Sequence, residues 1–233
     1  MDEDGFVILR AVFSRPQVDR FLVSLQHTLE EQPEIDAIRS SGGSIYAARN
    51  VLALWPAAAS AWQQPPLSDA LATILGPGFG LVRTLFFDKP PERSWALPWH
   101  KDLTIAVRSN DLPGQIFCKP TRKAGVPHVE APLAVLEQMV TARIHLDDVT
   151  EENGPLRVIA GSHRTGKELR LGDEHPESIT VSCGDVLLMR PLLAHSSGHS
   201  QANTQRHRRV LHLEFAASAE LPDGYAWHDF RPG

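Results

Sequence analysis

Two histidine–aspartate pairs, each with one residue between its members, carry most of the chemistry this sequence offers. His100 and Asp102 lie in "LPWHKDLTIAV" (97–107), and His145 and Asp147 lie in "RIHLDD". Both stretches read as strands, where side chains alternate faces and residues i and i+2 project together. Either pair therefore offers an imidazole nitrogen beside a carboxylate oxygen. Those are two of the three protein ligands in the two-histidine, one-carboxylate arrangement that holds ferrous iron and leaves three positions open. The third ligand must be a histidine from a strand far away in sequence. His195, in "DVLLMRPLLAHSSGHS" shortly past a strand at 185–190, suits that role, although a lone histidine there also reads as a surface loop residue. Spacing leaves the choice of pair open, because His145 also fits the inner wall of a pocket, with Asp147 and Asp148 starting a loop.

An iron site of this kind that uses 2-oxoglutarate needs a fixed cation for the far carboxylate of that co-substrate, and the planar fork of arginine suits it. Arg206-His207-Arg208-Arg209 opens the last strand. Alternation puts Arg206, Arg208, Val210 and His212 on one face, and His207, Arg209, Leu211 and Leu213 on the other. A basic surface patch is the competing reading. Around these residues, Trp99 is a candidate wall of the site or a core aromatic. His128, in "AGVPHVEAP", is a candidate substrate contact, since loops carry binding residues. Arg83 and Lys89 read as solvated charges or as helpers of the carboxylate. Asn153 and Gly154 read as a turn, and Arg157 and His163 as structural or pocket-facing.

Elements to position these groups follow from pattern. "GFVIL" (5–9) is a short strand. Ser14, Pro16 and Gln17 mark a helix start with a capping box. Val18, Phe21, Leu22, Leu25 and Leu29 then follow at helical spacing. A second helix runs from Leu67 to Leu75, stopped by Gly76-Pro77. Strand-like runs follow at 81–88, 103–107, 140–149, 156–160, 178–182, 185–190 and 209–216, separated by turn signals such as "ENGP" and "CGD". The Pro- and Gly-rich stretch 111–132 reads as a long binding loop. The expectation is one domain over 1–233, with a helical part (1–80) packed outside a mainly β, double-sheet jelly roll (81–233).

Bulk composition narrows the function. The 233 residues carry a formal net charge of -5, which gives nucleic-acid binding no electrostatic support. The first apolar run is too short for a signal peptide or a membrane span, so no membrane role is expected. Two cysteines, Cys118 and Cys183, without a CxxC exclude a disulfide framework and fit a reducing, cytoplasmic setting. Eleven histidines keep metal chemistry in view. No feature fixes the oligomeric state.

Over most of its length, from "DEDGFVILRAVFS" to "RRVLHLEFA", the chain resembles the phytanoyl-CoA dioxygenase family of iron(II)- and 2-oxoglutarate-dependent oxygenases. The specific stretches are "LPWHKDLTIAV", "RIHLDDVTEENGPLRVIAGSHRTG" and "GDVLLMRPLLAHSSGHS". The resemblance implies a double-stranded β-helix with iron on His100, Asp102 and His195, and leaves His145 facing the pocket or co-substrate. It places the 2-oxoglutarate arginine at the start of the final strand. Strand register gives Arg208, while the usual spacing from His195 gives Arg206. Register is preferred, because insertions fall in loops. Lys101 replaces a glutamine frequent between the ligands and points away from the metal. The implied reaction uses Fe(II), O2 and 2-oxoglutarate, releases succinate and carbon dioxide, and hydroxylates a small molecule. Asp102 argues for hydroxylation, since halogenating relatives lack that carboxylate. Two other readings remain: a cupin-type jelly roll with isomerase or lyase chemistry, which needs no Arg208, and a non-catalytic binding module, which a missing ligand would favour.

Overall fold

The computed structural model describes residues 1–32, 35–172 and 175–233. Its first strand, β1 (Phe6–Leu9), leads into helix α1 (Arg15–Glu30). The Ser14 backbone N–H and hydroxyl both meet Gln17 Oε1 at 2.8 Å, and a proline falls in the first turn, where its missing N–H costs nothing. Val18, Leu22, Leu25 and Leu29 are buried.

Strands β2 (Ile38–Ser41) and β3 (Ser44–Ala48) turn about Gly42-Gly43, both in the left-handed region that a two-residue hairpin demands. Helices α2 (Val51–Leu54) and α3 (Pro65–Leu75) complete the first third. Strands β4 (Gly80–Phe87), β5 (Leu97–His100), β6 (Thr104–Ala106), β7 (Cys118–Lys123) and β8 (Val126–Glu130) come next. After them come α4 (Leu133–Leu136), β9 (Met139–His145), β10 (Leu156–Val158), β11 (Glu177–Ile179), β12 (Val186–Met189), β13 (His195–Ser197), β14 (Val210–Ala216) and β15 (Arg231–Pro232). Among the described residues no helix is long and apolar enough to cross a membrane.

The larger sheet runs β1-β12-β9-β14-β4-β3-β2, with β15 also on β4, and the smaller runs β11-β10-β13-β5. All pairings are antiparallel, so the fold is the mainly β jelly roll that the strand pattern indicates. Stretch 1–80 contributes β1, β2 and β3 to the larger sheet as well as its helices.

The larger sheet buries two unlike faces. Val140, Ala142, Ile144, Val186, Leu188, Leu211, Leu213 and Phe215 form one cluster with the apolar stripes of α1 and α3. On the other face, Leu187 and Met189 pack with Leu156, Val158, Ile179 and Val181 of the smaller sheet and its flank. Further along, that inner face turns polar, and Arg83, Arg143, His212 and Glu214 line a cavity.

The stretch 111–132 is largely not a loop. β7 and β8 form a hairpin with β6, closed by Ala124 and Gly125 at positive φ. Pro120 and Pro127 disguise these strands. Pro120 lies at a register shift of the edge strand β7, and Pro127 lends its carbonyl to the Val107 N–H.

Candidate active site

The run 97–107 breaks at the candidate ligands. β5 ends at His100 in the smaller sheet, and β6 starts at Thr104 in another. Asp102 sits in the connection, its N–H held by the Pro191 carbonyl at 2.9 Å. His195 opens β13 and pairs directly with His100, bringing the ring centroids to 4.2 Å.

Each imidazole spends one nitrogen on the backbone. His100 Nδ1 is 2.7 Å from the Pro98 carbonyl, and His195 Nδ1 is 2.9 Å from that of Leu193. Such carbonyl anchors orient ligating histidines and leave Nε2 for the metal. The two Nε2 atoms lie 3.9 and 3.6 Å from the Asp102 oxygens. One donor atom from each of His100, Asp102 and His195 falls within 4.8 Å of the others.

Burial, with the neighbouring His100, pushes His195 down to about 4, so it is the neutral base a metal needs. Burial alone would raise the Asp102 carboxyl, but the imidazoles of His195, His212 and His100, to the extent that they are protonated, and the Arg143 guanidinium hold it below its ordinary value. Two neutral nitrogens and one hard anion on one side suit ferrous iron. Between the ligands, Lys101 turns away, and its Nζ donates to the Ser162 and Gly166 carbonyls and Thr165 Oγ1 at 2.7–2.8 Å.

The second pair does not converge. His145 is buried on β9, and neither ring nitrogen has a partner among the described residues. Asp147 is occupied by Arg209, whose backbone N–H, Nε and Nη2 donate to it at 2.8, 2.8 and 2.6 Å.

The two candidate arginines also part. Arg206 pairs with Glu152 at 3.1 Å outside the cavity. Arg208 lines the cavity, is 3% exposed, and leaves Nε and Nη1 without partners among the described residues. Burial, then the like charge of Arg143, pushes its pKa down. A buried cation in that state is a strong site for an anion.

Lys89 exchanges backbone hydrogen bonds with Arg208, both at 3.2 Å. It is fully buried, contrary to its reading as a solvated charge. Its Nζ donates to the Gly198 carbonyl (2.6 Å) and Ser197 Oγ (3.2 Å) and lies 4.9 Å above the Trp95 ring. Burial, then Arg208 and Arg143, pushes it down to about 6. Alternation along Arg83, Leu85, Phe87 and Lys89 is the signal that finds it.

Sequence comparison adds the decisive observation: residues 1–210 match the phytanoyl-CoA dioxygenase (PhyH) family. The chain belongs to that family. An iron/alpha-ketoglutarate-dependent dioxygenase of Penicillium ochrochloron, okaE, is 33% identical over 85 residues, 36% of this chain and 26% of that protein. The chain thus aligns with about a quarter of that relative's length.

Among solved structures, EctD from S. alaskensis with bound Fe shares the fold at a TM-score of 0.68 and 19% identity, over 95% of this chain and 79% of that one. The non-heme alpha ketoglutarate dependent epimerase SnoN, from nogalamycin biosynthesis, does so at 0.66 and 17%, over 95% and 82%. A second SnoN structure holds Fe3+, alpha ketoglutarate and nogalamycin RO. At these identities the likeness is one of fold. Iron and 2-oxoglutarate, expected from the sequence, agree with the family and with the donor set of His100, Asp102 and His195.

Other positions singled out in this PhyH-family sequence fall elsewhere. Trp99 is half-buried and does not line the cavity, whereas Trp95 does. His128 is buried on β8 rather than in a loop, outside the lining, with Nδ1 on the Val126 carbonyl. Arg157 is exposed on β10, and His163 packs against Gly5.

Asn153 does more than turn the chain, because its Nδ2 donates to the Asp148 and His207 carbonyls, fixing the approach to Arg208. At Gly154 a Cβ would meet the Gly198 carbonyl at 2.7 Å. Arg83 is not solvated. Its Nη1 meets Glu214 at 3.0 Å, and Glu214 also faces His212 Nε2 at 3.4 Å. His212 Nδ1 accepts from Arg143 at 3.1 Å.

Proposed function

We propose that the protein is an iron(II)- and 2-oxoglutarate-dependent dioxygenase that hydroxylates a small molecule and releases succinate and carbon dioxide. One observation carries the reading: the buried guanidinium of Arg208, without a side-chain partner among the described residues, opens onto the same cavity as His100, Asp102 and His195. A cupin-type isomerase or lyase has no use for that cation, and a binding module has no use for the complete triad.

When bound, ferrous iron with O2 and 2-oxoglutarate supplies the oxidising chemistry. The chain's part is placement. His100 and His195 act as neutral donors fixed through their Nδ1 atoms, and Asp102 is the anionic donor. Asp102 fills a position that chloride takes in halogenating relatives, which favours hydroxylation. Arg208 would hold the far carboxylate of 2-oxoglutarate, and Lys89, held by Ser197, would add charge from behind once that carboxylate is bound. Leu85, Phe87, Trp95 and Leu156 line the remaining wall and limit water. His145, on the strand between, faces the co-substrate end, whereas Trp99 and His128 act through packing. Residues 1–233 work as one domain, and two free cysteines fit the cytoplasm.

Incubation with Fe(II), O2 and 2-oxoglutarate tests this. The expected result is iron-dependent succinate formation, lost in His195→Ala, with label from 18O2 entering succinate. Turnover of a substrate without succinate would move the protein to the non-redox class.

A further inference from the structure

The cations at the two ends of the cavity differ in what they already hold. The register of β4 and β14 sets its levels, with Lys89 beside Arg208 at one end, Leu85 opposite His212 in the middle and Arg83 opposite Glu214 at the other. Lys89 lies six positions beyond Arg83, about 20 Å of extended strand. The metal ligands belong to the middle, where His212 and Arg143 act on Asp102. On the oxygenase reading the Arg208 end takes the co-substrate.

At the Arg83 end, Arg49 and Lys123 line the cavity as well. Arg83 is matched by Glu214 at 3.0 Å. Arg49 and Lys123 are matched by no carboxylate among the described residues. The Lys123 Nζ donates only to Thr104 Oγ1, at 3.0 Å, and the Arg49 guanidinium has no partner there. Both are half-buried. Burial first, and then the like charge of neighbouring cations, Arg83 foremost, pulls both pKa values down.

The fold pins the two together. Asn50, next to Arg49, donates from Nδ2 to the Ala124 carbonyl at 3.1 Å, and Ala124 follows Lys123 in the β7–β8 turn. Across the whole lining, five cations (Arg49, Arg83, Lys123, Arg143 and Arg208) face two carboxylates (Asp102 and Glu214), an excess of three in a chain of net charge -5. Iron(II) and 2-oxoglutarate carry opposite double charges, so their joint arrival leaves that excess in place.

We infer that Arg49 and Lys123, backed by Arg83, form a subsite for an anionic group, a carboxylate or phosphoryl, on the primary substrate. Calling the ligand the substrate rests on the oxygenase reading above, whereas anion binding at these residues does not. The substrate then bridges this subsite and the metal, with its reacting carbon held between the two charged ends. Two half-buried cations with no ion-pair partner among the described residues bind an anion more strongly than exposed ones, because less water screens them.

The test uses the metal-free full chain carrying Arg208→Ala, which removes the competing carboxylate site. Inorganic phosphate and acetate are titrated separately by thermal shift and calorimetry. Saturable binding is expected, weakened at least tenfold by Arg49→Gln or Lys123→Met and abolished by the two together. Phosphate binding alone marks a phosphoryl group, and comparable acetate binding marks a carboxylate. No saturable binding, or binding indifferent to both substitutions, overturns the proposal. If Arg49→Gln fails to fold, Lys123→Met carries the same comparison. Anion binding that depends on Arg49 and Lys123, in a protein that forms no succinate from 2-oxoglutarate, leaves this subsite standing and removes only the oxygenase reading.

Discussion

His100 and Asp102 share a spacing with His145 and Asp147, yet the fold treats the two pairs in opposite ways. The first lies where a four-residue strand stops and the chain crosses to another sheet. There both histidine Nδ1 atoms are satisfied by carbonyls, and Nε2 and carboxylate oxygens converge. The second lies at the end of a seven-residue central strand. Its carboxylate is spent on Arg209, and its imidazole is buried with neither nitrogen partnered among the described residues. A His-x-Asp therefore becomes a ligand pair through what its neighbours leave free, not through its spacing. The arginines repeat the lesson, since Arg206 is spent on Glu152 while Arg208 is not.

The largest effect separates the two pairs. His100→Ala or His195→Ala should lower iron affinity by about 100-fold or more, since even the groups that hold ligands in place contribute about 10–100-fold. His145→Ala should leave it within about threefold. Competition with a coloured chelator reads both, and iron loss from His145→Ala equal to that from His195→Ala breaks the comparison.

The arginines come next. Arg208→Ala removes a charge-assisted fork from a buried carboxylate, a loss of about 2–4 kcal/mol, or about 30- to 1000-fold in the 2-oxoglutarate constant. Arg208→Lys should rescue in part, because a point charge replaces a fork. Arg206→Ala should shift it by less than about threefold, as for exposed ion pairs generally. Substrate-free 2-oxoglutarate turnover measures all three, and a large effect from Arg206→Ala alone would invert the strand register.

Asp147→Asn should act on stability instead. It weakens three hydrogen bonds to Arg209 and should cost about 1–3 kcal/mol in denaturant unfolding while iron stays bound. Loss of iron at unchanged stability would make Asp147 a ligand.

What could be read in advance follows the range of the forces involved. Alternation along the last strand is local and separates Arg208 from Arg209, but it leaves both His-x-Asp pairs open. The choice of His100, Asp102 and His195 follows from the family resemblance, and the strand expected through 97–107 stops at His100. The capping box at Ser14 and Gln17 was readable because it too is local. The burial of Lys89 is not legible in the sequence, because it is set by Ser197 and Gly198, distant in sequence, and by the placing of Trp95. Trp99 stands out in the sequence for its place beside a ligand, but adjacency on a strand means opposite faces. The β7–β8 hairpin hid behind Pro120 and Pro127, whose strand positions are tolerated only at a register shift and through a carbonyl. Gly184 and Asp185 looked like a mere turn, but Asp185 also accepts from Arg10 and the Ala11 N–H, tying β1 to the sheet.

The smallest effect is one proton. With its pKa pushed down to about 6, Lys89 in the folded protein is neutral at pH 8, while in the unfolded chain it is charged. The unfolded state binds more protons between those values, so this group's contribution to stability rises with pH from about 6 to about 10.5. A bound 2-oxoglutarate carboxylate favours the ammonium again, so binding at pH 8 should take up about one proton. Calorimetry in two buffers of different ionisation enthalpy reads this, and Lys89→Met should abolish the uptake. Uptake that persists in Lys89→Met would place the proton elsewhere.

The most direct test of the central claim is anaerobic addition of Fe(II) and 2-oxoglutarate, watched in the visible spectrum. Chelation of iron by 2-oxoglutarate should give a weak charge-transfer band in the native protein and in His145→Ala. The band should vanish in His195→Ala and need far more 2-oxoglutarate in Arg208→Ala. A native protein without the band, or a band that survives His195→Ala and disappears in His145→Ala, would contradict the account.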